Sequence, residues 1–267
     1  MKYFFVPLIL LLTACTSQST TTTVATDTPP PANPMPAKPA QEAETGILTY
    51  CWRGNLEGNI PVQLQYQVEG DVATGSIQYL ATKNKSAIPL IGSVENGEFR
   101  LLEFEKNGNI TGIISGKREG QTFVGDWFSP TTRKTRKMEL PAVDTTLPTK
   151  STAALPADLG GSYSYAYGAE GPQGTLTLKP LAGGKALLEI SAVTGAPAFN
   201  IADIGVDTVE LEAGDRIVYR FPDSPECSFQ VRLYKGFAVV NYLTDAGCTS
   251  QFGHNATVEG TFLKRSK

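Results

Sequence analysis

Between Gly46 and about Pro141, apolar and polar positions alternate with a period of two. Val62, Leu64, Tyr66 and Val68 are separated by Gln63, Gln65 and Gln67, the pattern of a strand with one buried face and one wet face. Turn signals recur at short intervals, at Glu69-Gly70-Asp71, Glu95-Asn96-Gly97, Asn107-Gly108-Asn109 and Glu119-Gly120,. Together they predict eight strands, near 47–53, 60–68, 71–80, 87–94, 98–106, 109–116, 121–128 and 134–140. No segment carries an apolar stripe at helical spacing. Eight short strands joined by tight turns predict an up-and-down barrel or a strongly curled sheet.

The alternation resumes at about Leu159 and runs to the C-terminus. Tyr163, Tyr165 and Tyr167 line one face of its first strand, and Leu176/Leu178, Val209/Leu211, Ile217/Tyr219/Phe221, Phe229/Val231/Leu233, Phe237/Val239 and Val258/Phe262 repeat the pattern. The predicted fold is all-β, with two small antiparallel barrels or sandwiches covering 46–141 and 159–267. A Thr, Ser, Ala and Pro-rich linker, 142–158, separates them. Both halves contain a late Gly-x-aromatic strand, Gly125-Asp126-Trp127 and Gly260-Thr261-Phe262.

The N-terminus reads differently. Lys2 precedes an apolar run from Phe4 to Leu12, far short of the roughly 20 residues that cross a bilayer and fitting the core of a secretory signal peptide over residues 1–14. Residues 15–45 are rich in Ser, Thr and Ala, with six prolines from Pro29 to Pro39. Such a segment buries too little apolar surface to order itself, and predicts a disordered tether reaching roughly 30 Å as a coil and roughly 90 Å when extended.

Composition narrows the function classes. The 267 residues are 41% hydrophobic and 18% charged, with 23 Lys+Arg against 26 Asp+Glu. That excludes a disordered polyelectrolyte and argues against a nucleic-acid partner. Loss of Lys2 with the signal peptide leaves 22 basic against 26 acidic residues. In an exported chain, Cys227 and Cys248 flank one predicted hairpin and would close it with a disulfide, while Cys51 is left as a small buried residue on the first strand,.

Candidate chemistry is sparse. His254 is the single imidazole, with Ser250 or Ser164 as conceivable nucleophilic partners,. Asp203, Asp207 and Asp215 are scattered acids without metal-ligand spacing,, and no metal or cofactor is predicted. Glu103 and Glu105 fall on the strand face of Phe99 and Leu101, so that in a barrel both carboxylates would stand at its mouth. There they would orient a ligand or, in an enzyme, act as acid and base. Arg133, Lys134, Arg136 and Lys137 form a basic run at a turn, a surface for anionic headgroups or an acidic protein.

Leu12-Thr13-Ala14-Cys15 resembles the bacterial lipobox. The resemblance implies cleavage before Cys15, diacylglycerol on its thiol, and, with Thr at position 16, an outer-membrane destination. Several acyl chains hold a protein on a membrane without a transmembrane helix, at about 0.8 kcal/mol per buried methylene. Val62–Tyr66, Gly75-x-x-x-Tyr79, Leu90-x-Gly92, Gly112 and Gly125-Asp126-Trp127 resemble small bacterial lipocalin-like domains. Cys227-x-Phe229 and Cys248-x-x-x-Phe252-Gly253 are similar to C-terminal β-domains of uncharacterised exported proteins. The expected function is a non-enzymatic lipoprotein module that binds an envelope protein. A carrier of a small apolar ligand or lipid is the second expectation, and an envelope hydrolase the third.

Overall fold

The computed structural model describes residues 47–83, 86–143, 148–149, 159–244 and 248–265. The expected signal peptide, lipidation site at Cys15 and tether, and most of the expected linker, lie outside the described residues. Among the described residues every regular element is a strand, apart from a short 3-10 turn at Cys248–Ser250. The chain is all-β, as its periodicity predicts.

The first sheet contains β1 (Ile47–Leu56), β2 (Ile60–Glu69), β3 (Val72–Tyr79), β4 (Ile88–Glu95), β5 (Glu98–Phe104), β6 (Ile110–Glu119), β7 (Thr122–Phe128) and β8 (Thr135–Pro141). Each pairs antiparallel with the next, and β1 pairs with both β2 and β8, so the sheet closes into an up-and-down barrel. The dipeptide β9 (Pro148–Thr149), inside the expected linker, pairs antiparallel with Ile47 and Leu48 at the start of β1. The alternation does the folding: Val62, Leu64 and Tyr66 turn inward and are buried with Leu90, Leu101, Ile114 and Leu140. Four aromatic rings fill the middle, with centroids 4.7 Å apart for Tyr66–Phe99 and 6.2 Å for Trp52–Phe123. Cys51 is buried on β1 and accepts a hydrogen bond from Gln65 Nε2.

The second sheet contains β10 (Gly161–Ala166), β11 (Gln173–Pro180), β12 (Lys185–Val193), β13 (Ile201–Glu210), β14 (Arg216–Phe221), β15 (Ser224–Tyr234), β16 (Phe237–Thr244) and β17 (Gly260–Lys264). Its order is β13-β12-β11-β10-β17-β16-β15-β14. The sheet curls until β13 and β14 face each other, but they are not hydrogen-bonded neighbours. Cys227 and Cys248 are joined by a disulfide, which ties the start of β15 to the loop before β17.

The two barrels share a core. Val72, Ile91, Leu102, Phe104 and Ile110 of the first pack in one cluster with Leu176, Leu188, Ile217 and Phe229 of the second. On β5, therefore, Phe99 and Leu101 face their own barrel while Leu102 and Phe104 are buried against the other. Polar contacts seal the junction: Arg232 pairs with Asp71 at 3.0 Å, and Ala166 N–H donates to the Gly108 carbonyl at 3.1 Å.

Candidate functional site

Glu103 follows Phe99 and Leu101 on the inward face of β5 and is 3% exposed. Three strands supply donors to it. Tyr79 Oη on β3 donates to Oε2 at 2.8 Å, Trp127 Nε1 on β7 donates to the same oxygen at 3.1 Å, and Thr111 Oγ1 on β6 donates to Oε1 at 2.7 Å. Gly112 stands opposite Glu103 in the ladder. A Cβ there would lie 2.2 Å from the indole nitrogen and 2.8 Å from the carboxylate, so a glycine is what lets Trp127 reach the acid. Burial, and then the Glu103 charge, push the Tyr79 hydroxyl far above the usual phenol range. A carboxylate has about four lone-pair sites, and three are filled here. The arrangement ties four strands together at one end of the barrel and engages both carboxylate oxygens with side chains of the barrel itself.

Glu105 does not join it. The ladder slips between Glu103 and Phe104, β5 ends there, and Glu105 is exposed on the following turn. Among the described residues its carboxylate accepts from Asn109 Nδ2, at 3.4 Å. The predicted acidic mouth is corrected to one buried acid and one solvated acid. The basic run is split as well. Arg136 pairs with Glu57 and Lys137 with Asp126, while Arg133 and Lys134 are exposed at the β7–β8 turn.

His254 is exposed, and among the described residues no side chain hydrogen-bonds its imidazole. Neither serine joins it: Ser164 lies on β10 bonded to Arg265, and Ser250 is exposed in the 3-10 turn. Among the described residues no group of three His, Cys, Asp or Glu side chains is placed to hold a metal.

The loops at the His254 end of the second barrel hold what sequence reading missed. The β12–β13 loop is clamped by backbone bonds from Thr194 N to Asn200 O, Phe199 N to Gly195 O and Ala196 N to Glu170 O. Asn200 adds bonds to Thr194 Oγ1 and to the His254 carbonyl. Within this clamp Phe199 has φ +47°, a conformation that costs a bulky side chain about 1–3 kcal/mol. Its ring is nevertheless 45% exposed, and Ile201 and Val206 on β13 are 57% and 65% exposed. Scattered exposed apolar residues are ordinary; three on one loop and the strand it feeds, on a strand paired on one side only, are not. Beside them lies a cleft of about 530 Å³ lined by Tyr242, His254, Asn255, Thr257 and Glu259. Exposed acids, Glu170, Asp203, Asp223, Glu226 and Glu259, outnumber Arg220 around this end. The available sequence signal was Phe199 at the end of Gly195-Ala196-Pro197-Ala198, an apolar residue held in turn chemistry,.

No protein-family model matches the chain, and no curated protein matches it. Among solved structures, it is similar to the DNA polymerase III subunit beta from Pseudomonas aeruginosa with 9% identity and a TM-score of 0.16. The match covers 85% of this chain and 58% of that one. A superposition of that quality carries no argument about fold or function.

Proposed function

We propose that this chain is an outer-membrane lipoprotein, anchored through Cys15, whose folded part is a non-enzymatic binding module for a protein of the cell envelope. One observation carries the reading: a loop clamped by backbone bonds presents Phe199 to solvent, with exposed Ile201 two residues on and Val206 further along the same edge strand. Aromatic and aliphatic anchors held in place before contact are what protein interfaces concentrate their energy in. The acidic rim gives the partner its chemistry, an apolar side chain set among basic residues,. The same rim argues against a second copy, since matching acids would meet.

Two features support binding outside the barrels rather than chemistry or cargo inside. The first barrel is filled by Trp52, Tyr66, Phe99 and Phe123, which speaks against a lipid carrier. Glu103 is held by three donors, which speaks against a hydrolase built on it. The basic turn at Arg133 and Lys134 is the secondary candidate surface.

The test is photo-crosslinking in cells from a benzophenone side chain placed at 199, 201, 133 or 134. The expected result is one polypeptide, the same from 199 and 201, whose purified form binds with affinity reduced by salt. Adducts from 133 and 134 alone, or none from any position, would overturn the assignment.

A further inference from the structure

We infer that the crease between the barrels is a binding site for a sugar bearing a single carboxylate, an activity separate from protein binding at the Phe199 loop. The crease has a volume of about 370 Å³ and forms where the β5–β6 turn of the first barrel meets β10, β11 and β12 of the second. Its floor is a row of hydroxyls. Ser164 stands opposite Thr175, and Thr175 opposite Ser191, in consecutive ladders, so three strands at about 4.8 Å spacing lay the row out over roughly 10 Å. Its walls add the side-chain amides of Asn107, Asn109 and Gln173. Hydroxyls and amides both donate and accept, which matches a polyol, whose own hydroxyls do the same.

Arg265 gives the site its charge. One guanidinium N–H donates to Ser164 Oγ at 3.2 Å, and among the described residues Arg265 has no ion-pair partner. Its remaining donors form a fork suited to a carboxylate. Asp203 stands beyond Ser191 at the far end of the row, and Glu105 sits on the turn behind Asn109. Acids at both limits disfavour a polyanion and leave room for one negative group beside Arg265.

The walls are fixed before any ligand arrives. Gly108 has φ +84° and is packed so closely that a Cβ would lie 2.6 Å from Ser164 Oγ and 3.3 Å from Arg265 Nη1. Its carbonyl accepts from Ala166 N–H, and Asn109 bridges to Ala166. The Asn107 side-chain Oδ1 accepts from the Asn109 backbone N–H at 2.9 Å, which fixes the amide and leaves its Nδ2 facing the crease free to donate,. Neither barrel alone forms this site.

The test is nitrogen-labelled full-length chain titrated with glucuronate and, separately, N-acetylmuramate, with glucose and acetate as controls. Side-chain amide signals of Asn107, Asn109 and Gln173 and the Arg265 Nε–H should move with one of the acidic sugars and far less with either control. Arg265→Gln should weaken that sugar on the order of tenfold, and Thr175→Val, a substitution the exposed strand tolerates, should weaken it several-fold. The two sugars separate a murein source from an acidic polysaccharide. Acetate acting as strongly as the sugars, no movement with either sugar, or full affinity in Arg265→Gln would each overturn the inference.

Discussion

Glu103 shows how far a single residue can be read from sequence. Its inward direction follows from Phe99 and Leu101 two and four positions before it. Its partners do not, because Tyr79, Thr111 and Trp127 arrive from three other strands. Replacing Glu103 with Gln turns one acceptor oxygen into a donor facing buried donors. The expected cost is about 2 kcal/mol in a denaturant titration, with partner binding unchanged; an unaltered midpoint would contradict the described network. The buried tyrosines make a second prediction. Burial pushes Tyr165 and Tyr234 up to about 12, from an ordinary value of 10.0. The folded chain therefore holds protons that the unfolded chain releases above pH 10. Stability from these groups is intact below pH 10 and falls as pH rises from 10 to 12. Phenolate absorbance followed together with unfolding should show these tyrosines ionising late and with loss of structure, not in a smooth titration near 10.

At the scale of elements, the first eight strands were legible because alternation and Gly-containing turns agree along the whole segment,. The Cys227–Cys248 bridge was legible for a related reason, since the two residues flank one hairpin. Glu105 was misplaced because a one-residue slip in a ladder is invisible to periodicity and turns later side chains off the expected face,. The Phe199 loop was missed because its exposure depends on bonds to Glu170 and His254, distant in the chain. The disulfide closes a separation of 21 residues, worth roughly 3 kcal/mol on loop-entropy grounds. Cys227→Ala with Cys248→Ala should lower stability by that order and loosen the β16–β17 loop in hydrogen exchange. Equal midpoints with and without the bridge would refute this.

At the scale of the molecule, the shared cluster around Phe104 was hidden because pattern reading assigns one buried face per strand, and β5 buries both. Linked cores predict that the barrels unfold together. Phe104→Ala should cost about 3–5 kcal/mol and lower a single calorimetric transition; two separate transitions in the parent chain would show that the barrels are independent.

The proposed function rests on the outer surface at the Phe199 loop. Its most direct test is the affinity of the full chain, purified from membranes, for the polypeptide crosslinked at position 199. Phe199→Asn, which suits the positive φ, should change stability by less than about 1 kcal/mol yet weaken binding on the order of tenfold or more. Arg133→Glu with Lys134→Glu should bind as the parent does. Undiminished binding by Phe199→Asn, with loss in the Arg133 and Lys134 variant, would contradict the account.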